Sequence, residues 1–132
     1  MERYRRTGTG TYLKAQKQDI HIVAVEPADS PVLSQGKCGA HTIQGIGAGF
    51  VPKVLNPSIY DSVFPVEGED AFQAAKKLAK TEGILVGISS GAALHAGIEL
   101  AKKEENKNKT IVVLLPDSAD RYYSTALFQD EK

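Results

Sequence analysis

Short apolar runs rich in β-branched residues constrain the fold of this chain more than any other feature. Ile20–Val25 (IHIVAV) is closed by a Glu-Pro pair, and Thr110–Leu115 (TIVVLL) is closed by Pro116. Runs of this length with such boundaries are typical of buried strands. Strands buried on both faces usually belong to parallel sheets that helices cover. The two runs therefore predict strands of a mostly parallel sheet.

The segments between these runs add strands and helices. Ser62–Val66 predicts a second strand, which its proline restricts to an end or an edge, and Ile84–Ile88 is a further short apolar segment. Glu67–Thr81 predicts a helix because its apolar residues fall on one face, and Gly83 is its expected C-terminal stop. Another helix is predicted over Ala92–Lys103. This order predicts an α/β fold, a three-layer, mostly parallel sheet with flanking helices.

Two parts of the chain carry weaker signals. Tyr12–Gln18 predicts the end of a helix whose beginning is weakened by glycines. The segment 29–53 is irregular and contains five glycines and two prolines. Long irregular segments inside a compact domain are often functional, so this one is a candidate for part of a binding site.

Composition limits the classes of function. The 132 residues include 16 Lys+Arg and 16 Asp+Glu, so the formal net charge is zero. Without excess charge we expect neither nucleic-acid nor membrane binding. The single cysteine, Cys38, excludes an internal disulfide and a cysteine-based zinc site. No run approaches the roughly 20 apolar residues that span a bilayer, and no secretory signal is evident. We expect a single cytoplasmic domain.

The first glycine-rich segment is Thr7–Thr11 (TGTGT). Glycines with interleaved hydroxyls can wrap backbone N–H groups around a phosphate. The segment lacks the lysine of a P-loop, and no strand precedes it. A close-packing helix surface made of small residues is the favoured alternative.

The second glycine-rich segment is Gly87–Gly91 (GISSG), which opens the helix predicted after it. Its spacing fits G-x-S-x-G with Ser89 at the centre, so both a hydrolase nucleophile and a cofactor pocket are consistent with the pattern. A hydrolase triad needs a later histidine. His95 is the one histidine that follows, and it lies on the same helix, where it cannot reach Ser89. The hydrolase hypothesis therefore fails, and a cofactor pocket or a simple helix cap remains.

The remaining reactive residue types give little indication of chemistry. His21 and His41 show no metal-ligand spacing, and we expect neither of them to be catalytic. Cys38 is expected to be a small loop residue rather than a reactive thiol. Phe72 and Phe128 are predicted to belong to the core.

Four longer segments share an order and a spacing that are characteristic of one enzyme family: Val23–Lys37 (VAVEPADSPVLSQGK), Ile43–Pro52 (IQGIGAGFVP), Glu82–Ala93 (EGILVGISSGAA) and Thr110–Phe128 (TIVVLLPDSADRYYSTALF). Together they resemble cysteine synthase (O-acetylserine sulfhydrylase), a pyridoxal-phosphate enzyme of fold type II. The resemblance covers the C-terminal portion of a family enzyme. It implies that residues 1–132 form a single partial domain, an incomplete fold type II large domain.

The resemblance implies a β-replacement with pyridoxal phosphate as cofactor, in which O-acetylserine and sulfide give cysteine and acetate. It implies that Ser89 hydrogen-bonds the pyridine nitrogen of the cofactor. A hydroxyl, unlike a carboxylate, does not enforce a protonated ring nitrogen, which suits elimination. The resemblance also implies a wall of the substrate cleft formed by small residues of one loop: Gly45, Gly47, Ala48 and Gly49.

The chain departs from the family pattern near its N-terminus. The lysine that holds the cofactor belongs to the other half of a family enzyme, and no lysine here lies in a matching motif, so no catalytic residue is assigned to this chain. The family's GTGGT phosphate cradle would fall on Met1–Arg5, which reads MERYR. Ala119-Asp120 and Tyr123 replace the common Gly-Glu and Leu. We expect the chain to be inactive without a complementary N-terminal portion.

Partners follow from the same resemblance. It implies the small-molecule substrates O-acetylserine and sulfide, a homodimer, and serine acetyltransferase as a protein partner. Two alternatives remain open on the sequence. One is a non-catalytic binding module that kept the fold, for example for a serine acetyltransferase tail. The other is part of a cystathionine β-synthase-type enzyme.

Overall fold

A computed structural model describes residues 2–122, with side chains from residue 7 onward. The helices and strands follow in the order α1 (Glu2–Gln16), β1 (Val23–Pro27), α2 (Val32–Gln35), β2 (Ser62–Val66), α3 (Gly68–Glu82) and α4 (Ile88–Ala101). Short 3₁₀ turns lie at Glu104–Asn106 and Ala119–Arg121. The predicted α/β class is confirmed, with helices flanking a small parallel sheet.

The two described strands pair in parallel. Val23 lies opposite Ser62, and Pro27 lies opposite Val66. The second strand occupies the predicted residues. The first begins three residues later than predicted and extends to Pro27. Since parallel strands present their carboxyl ends at the same edge of a sheet, the segments that follow β1 and β2 leave from that edge.

The start of β1 is fixed by a side chain as well as by backbone hydrogen bonds. The Asp61 carboxylate accepts a hydrogen bond from the backbone N–H of Ile22 at 2.7 Å and forms an ion pair with Lys14 of α1, also at 2.7 Å. The Asp61 N–H donates in turn to the Ile22 carbonyl at 2.8 Å. Asp61 therefore joins α1 and the two strands at one point.

The Asp61 contacts predict a specific loss of stability in acid. The backbone N–H of Ile22 first, and the Lys14 ammonium second, hold the pKa of Asp61 below its ordinary 3.8. Because the folded pKa lies below the unfolded one, the stabilisation is present above about pH 4 and is lost as the pH falls through the folded value. Asp61→Asn should flatten the decline in the free energy of unfolding below pH 4, measured by urea titration. Asp29→Asn, at an exposed carboxylate without a described hydrogen-bond partner, is the control, and an equal effect would contradict the assignment.

One predicted strand does not form in the described part of the chain. The segments 84–88 and 110–115 are not in a ladder, and a single antiparallel bridge joins Val86 to Ser118. The side chains of Val112 and Leu114 are 89% and 65% exposed. A strand needs a backbone partner as well as an apolar pattern, and none of the described residues supplies one to 110–115. The prediction of a strand at 110–115 was therefore wrong for this structure.

The helices α3 and α4 pack closely against each other. As predicted, α3 ends at Gly83, which adopts φ 68° and donates its N–H to the Ala79 carbonyl. The helix α4 begins at Ile88, four residues before the predicted start, so the serines lie in its first turn. A Cβ on Gly91 would lie 2.1 Å from the backbone oxygen of Ala71, and the glycine therefore sets the distance between the helices.

The core lies where these helices meet the sheet. Its largest buried aliphatic side chains belong to Ile43, Val66 and Ile88, each at most 2% exposed. Phe72 packs against this core as predicted. Phe128 lies outside the described residues.

The glycines of Thr7–Thr11 lie inside α1, so their backbone N–H groups bond along the helix and do not form a phosphate loop. A Cβ on Gly10 would lie 2.5 Å from a side-chain carbon of Ile59, whereas one on Gly8 would meet nothing within 4 Å. The favoured alternative, a close-packing surface, is therefore correct at Gly10.

These two environments predict opposite effects of adding one methyl group. Gly91→Ala should lower the free energy of unfolding by about 1–3 kcal/mol or more, because the new Cβ meets backbone. Gly8→Ala should raise it by about 0.5–1 kcal/mol, because alanine has the higher helix propensity and the space is open. Urea unfolding of both variants measures the difference, and two shifts of the same sign would contradict the described helix contact.

Candidate cofactor site

Ser89 carries an unpaired hydroxyl in the first turn of α4. The residue is 4% exposed, and its Oγ has no hydrogen-bond partner among the described residues. Gly87, which precedes the helix, is extended, and none of the side chains described between residues 7 and 122 caps the helix start. An unsatisfied buried polar group costs about 1–3 kcal/mol. Such a group in a native structure indicates a place where a ligand completes the hydrogen bonding.

Ser90, the next residue, is fully engaged. Its hydroxyl donates to Asp117 Oδ1 at 2.7 Å, and the residue has no exposed surface. Tyr122 donates its hydroxyl to the other carboxylate oxygen of Asp117 at 2.8 Å. The two adjacent serines therefore have different environments. The Ser90 hydroxyl bonds Asp117, whereas the Ser89 hydroxyl has no partner among the described residues.

Gly87 allows this network to approach the start of α4. A Cβ on Gly87 would lie 2.2 Å from Asp117 Oδ2 and 2.4 Å from the ring of Tyr122. Any side chain there would displace the carboxylate from Ser90. The first glycine of the GISSG segment thus has a packing function.

The loop at residues 44–50 runs past Ser89. Gly45 and Gly47 have φ of 93° and 64°, in the left-handed region that favours glycine. A Cβ on Gly45 would lie 3.4 Å from Ser89 Oγ. Predicted cofactor and cleft residues therefore lie side by side at this point.

A cleft opens beside the same loop at the carboxyl end of β1. It encloses about 550 Å³ with its open mouth included, and Gly45, Gly47 and Ala48 are among the residues that line it. Ser89 does not line this cleft, and Gly49 does not either. Gly49 is turned instead toward Cys38, whose Cβ would be 3.6 Å from a Cβ placed there. Ligands of open α/β sheets commonly bind outside the carboxyl ends of strands, which matches this position.

Glu26 is a buried carboxylate in the cleft wall, at 3% exposure. It accepts hydrogen bonds from the backbone N–H groups of Leu33 at 2.7 Å and Ser34 at 3.2 Å, and from the Ser34 hydroxyl. These donors belong to α2, so Glu26 anchors this short helix to the end of β1. Its carboxylate is engaged in structure rather than left for chemistry.

His41 contacts the loop in a way that sequence reasoning missed. Its Nε2 lies 2.8 Å from the carbonyl oxygen of Gly47, while its Nδ1 is buried without a described partner. A hydrogen bond to a backbone carbonyl six residues away leaves no residue-type signal in the sequence. By contrast, His21 is exposed and bonds the Ser62 hydroxyl at 3.0 Å, and Cys38 is an exposed free thiol.

Residues 2–122 hold neither a metal-ligand cluster nor a membrane-spanning helix. Within 2–122, no group of three or more His, Cys, Asp or Glu side chains is placed to hold a metal ion. None of the helices in this part of the chain has the length and apolar character needed to cross a membrane.

Comparison with known proteins gives the family. A family model described as pyridoxal-phosphate dependent enzyme matches residues 6–117, and the chain therefore belongs to this family. A cysteine synthase of Staphylococcus aureus is 51% identical over 122 residues, which are 92% of this chain and 39% of the relative. The chain thus spans about two-fifths of the length of the curated relatives it matches.

Solved structures give the same result. The crystal structure of cysteine synthase from Entamoeba histolytica superposes with a TM-score of 0.90 at 44% identity, covering 95% of this chain and 38% of that one. O-acetylserine sulfhydrylase isoform 3 from the same organism has a TM-score of 0.90 at 46% identity, covering 95% and 37%. The resemblance to cysteine synthase stated from the sequence motifs is confirmed.

The described residues fit the ring end of the family's cofactor, pyridoxal phosphate. The buried Ser89 hydroxyl, unpaired within the described residues, can donate to an unprotonated pyridine nitrogen, and Gly45 places no side chain against it, where a Cβ would lie 3.4 Å from Ser89 Oγ. Thr7–Thr11 offers no cradle for the phosphate, because its N–H groups bond within α1.

Proposed function

We propose that this chain forms the C-terminal part of a pyridoxal-phosphate-dependent cysteine synthase, a transferase that converts O-acetylserine and sulfide to cysteine and acetate. The unpaired hydroxyl of Ser89, buried beside the glycine loop, is the observation that carries this proposal. Identity of 51% to a cysteine synthase supports the substrate class. When bound, the cofactor supplies an electron sink for loss of the substrate α-proton and of acetate.

The residues of this chain hold and orient the cofactor and the substrate. Ser89 would donate a hydrogen bond from its hydroxyl to the ring nitrogen and leave that nitrogen unprotonated, because a neutral hydroxyl does not stabilise a pyridinium as a carboxylate would. Gly45, Gly47, Ala48 and Gly49 belong to the loop that walls the substrate cleft, where small residues let backbone approach the substrate closely. The lysine that moves the α-proton is assigned to the rest of the enzyme.

We expect the chain to form no cysteine without the rest of the enzyme. An open apolar edge, consisting of Ile84, Leu85, Val112 and Leu114, supports this view, since these side chains are between 46% and 89% exposed. Strand-like segments with exposed apolar side chains invite pairing with another polypeptide. We assign to this edge the portion of a cysteine synthase that the chain does not match.

A complementation assay tests the proposal. The purified chain, the unmatched portion of the Staphylococcus aureus cysteine synthase, and a mixture of the two are each supplied with pyridoxal phosphate, O-acetylserine and sulfide. Cysteine should form above background in the mixture alone, because neither part holds both Ser89 and the lysine. Robust cysteine formation by the chain alone would contradict the expected silence, and an inactive mixture would count against the proposed activity.

Matched variants identify the surface used in that mixture. Val112→Lys should abolish complementation, because it places a charge in the open apolar edge. Val54→Lys alters a valine that is also exposed, at 46%, but lies outside this edge, and it should leave complementation unchanged. Equal effects of the two variants on complementation would contradict the assignment of this edge as the contact surface.

Ser89 is tested with a cofactor analogue. Because 4-deoxypyridoxine 5′-phosphate has no aldehyde, it cannot react with surface lysines and reports binding of the ring alone. In the complemented protein, Ser89→Ala should weaken its binding by up to about tenfold, the equivalent of one hydrogen bond of about 0.5–1.5 kcal/mol. Ser58→Ala, at an exposed serine, is the control. Identical affinities for the wild type and Ser89→Ala, measured by fluorescence titration, would contradict the role of Ser89.

A further inference from the structure

We propose that His41 is a positioning residue that fixes the cleft-wall loop by donating a hydrogen bond to the Gly47 carbonyl. Its effect on a substrate rests on the function proposed above, but the contact itself stands on geometry. The Nε2 to oxygen distance is 2.8 Å. Because a carbonyl oxygen can only accept, Nε2 must carry the hydrogen, and in the neutral ring Nδ1 is then a bare acceptor.

The His41 ring makes this bond although its other nitrogen is buried without a described partner. Nδ1 is buried and unpaired within the described chain, although a histidine can usually bring both nitrogens to a partner. Within residues 2–122, the other such orphaned side-chain atom is Ser89 Oγ. Both lie against the same loop, one beside Gly47 and the other beside Gly45.

The loop is held by the side chain of Ile46, which packs against the core, and by the bond from His41 to the Gly47 carbonyl. Among the described residues, the bond from His41 is the one side-chain hydrogen bond to residues 44–49. Gly47 packs closely there, since a Cβ on it would lie 2.6 Å from His41 Nε2 and 2.6 Å from Pro27 Cγ. Pro27 is the last residue of β1, so the imidazole holds the loop against the end of the sheet.

The bond to the Gly47 carbonyl also restrains the neighbouring residues of the loop that face Ser89 and the cleft. Gly45, two residues before it, lies against Ser89, and Ala48, the next residue, lines the cleft. If the carbonyl is released, the cleft wall can move relative to Ser89. His41 therefore acts on a substrate through the loop, without touching it.

The first test uses the chain without any ligand. His41→Phe keeps a ring of similar size but removes the donor, whereas His41→Gln places an amide N–H near the position of Nε2. In ¹⁵N relaxation, His41→Phe should lower the backbone order parameters of residues 44–50 from about 0.85, the value of rigid backbone, toward about 0.6, with α3 and α4 unchanged, and His41→Gln should restore them. Unchanged loop order parameters in His41→Phe, or an equal decrease in α3 and α4, would overturn the proposal.

A measurement on the wild type covers the case in which His41→Phe does not fold. The ¹⁵N resonances of the His41 ring should show a protonated Nε2 and an unprotonated Nδ1 at neutral pH. The opposite tautomer would overturn the proposal, because it cannot donate to Gly47.

The functional consequence is read in the complemented enzyme. His41→Phe should raise the KM for O-acetylserine severalfold with a smaller change in kcat, and His41→Gln should restore the KM. Unchanged kinetics together with lower loop order parameters would refute the effect on the cleft while leaving the loop contact intact. Failure of the wild-type mixture to form cysteine would instead count against the proposed function, so the two failures are distinguishable.

Discussion

The hydrogen bond from Ser90 to Asp117 is the contact on which the candidate site depends. It joins the first turn of α4 to the segment that ends at Tyr122, whose hydroxyl holds the same carboxylate. Because Ser90 is occupied, the neighbouring Ser89 presents the one free hydroxyl of the pair, and that hydroxyl is buried. A ligand that accepts a hydrogen bond there removes a cost that the folded chain otherwise carries. Glycines make this arrangement sterically possible, at Gly87 for the carboxylate and at Gly45 for the ligand side.

The residue patterns correctly predicted those strands and helices whose pairing or packing partners lie within this chain. β2 has the predicted bounds, and α3 differs by one residue at each end, with Gly83 as its stop. The segment 110–115 carries the strongest strand pattern of the chain but forms no ladder in the described residues. An apolar run reports that a segment can be buried, whereas a strand also requires a second backbone at hydrogen-bonding distance. The sequence of the run contains no information about that second backbone.

The candidate site was predictable to a similar extent. The GISSG segment and the resemblance pointed to Ser89, but the reason that Ser89 rather than Ser90 is free depends on Asp117, 27 residues further on. The glycine loop was identified as a unit, although the structure turns Gly49 toward Cys38 and away from the cleft lining. The contact of His41 with the loop was not predicted, because its partner is a backbone carbonyl, which every residue type possesses.

We propose that the Ser89 hydroxyl donates a hydrogen bond to the ring nitrogen of the cofactor. A ¹⁵N spectrum of ring-labelled pyridoxal phosphate bound to the complemented protein reports the state of this nitrogen. We expect an unprotonated, hydrogen-bonded nitrogen in the wild type, and a shift toward the free pyridine value in Ser89→Ala. An identical nitrogen resonance in the two proteins, or a protonated pyridinium in the wild type, would contradict this role of Ser89.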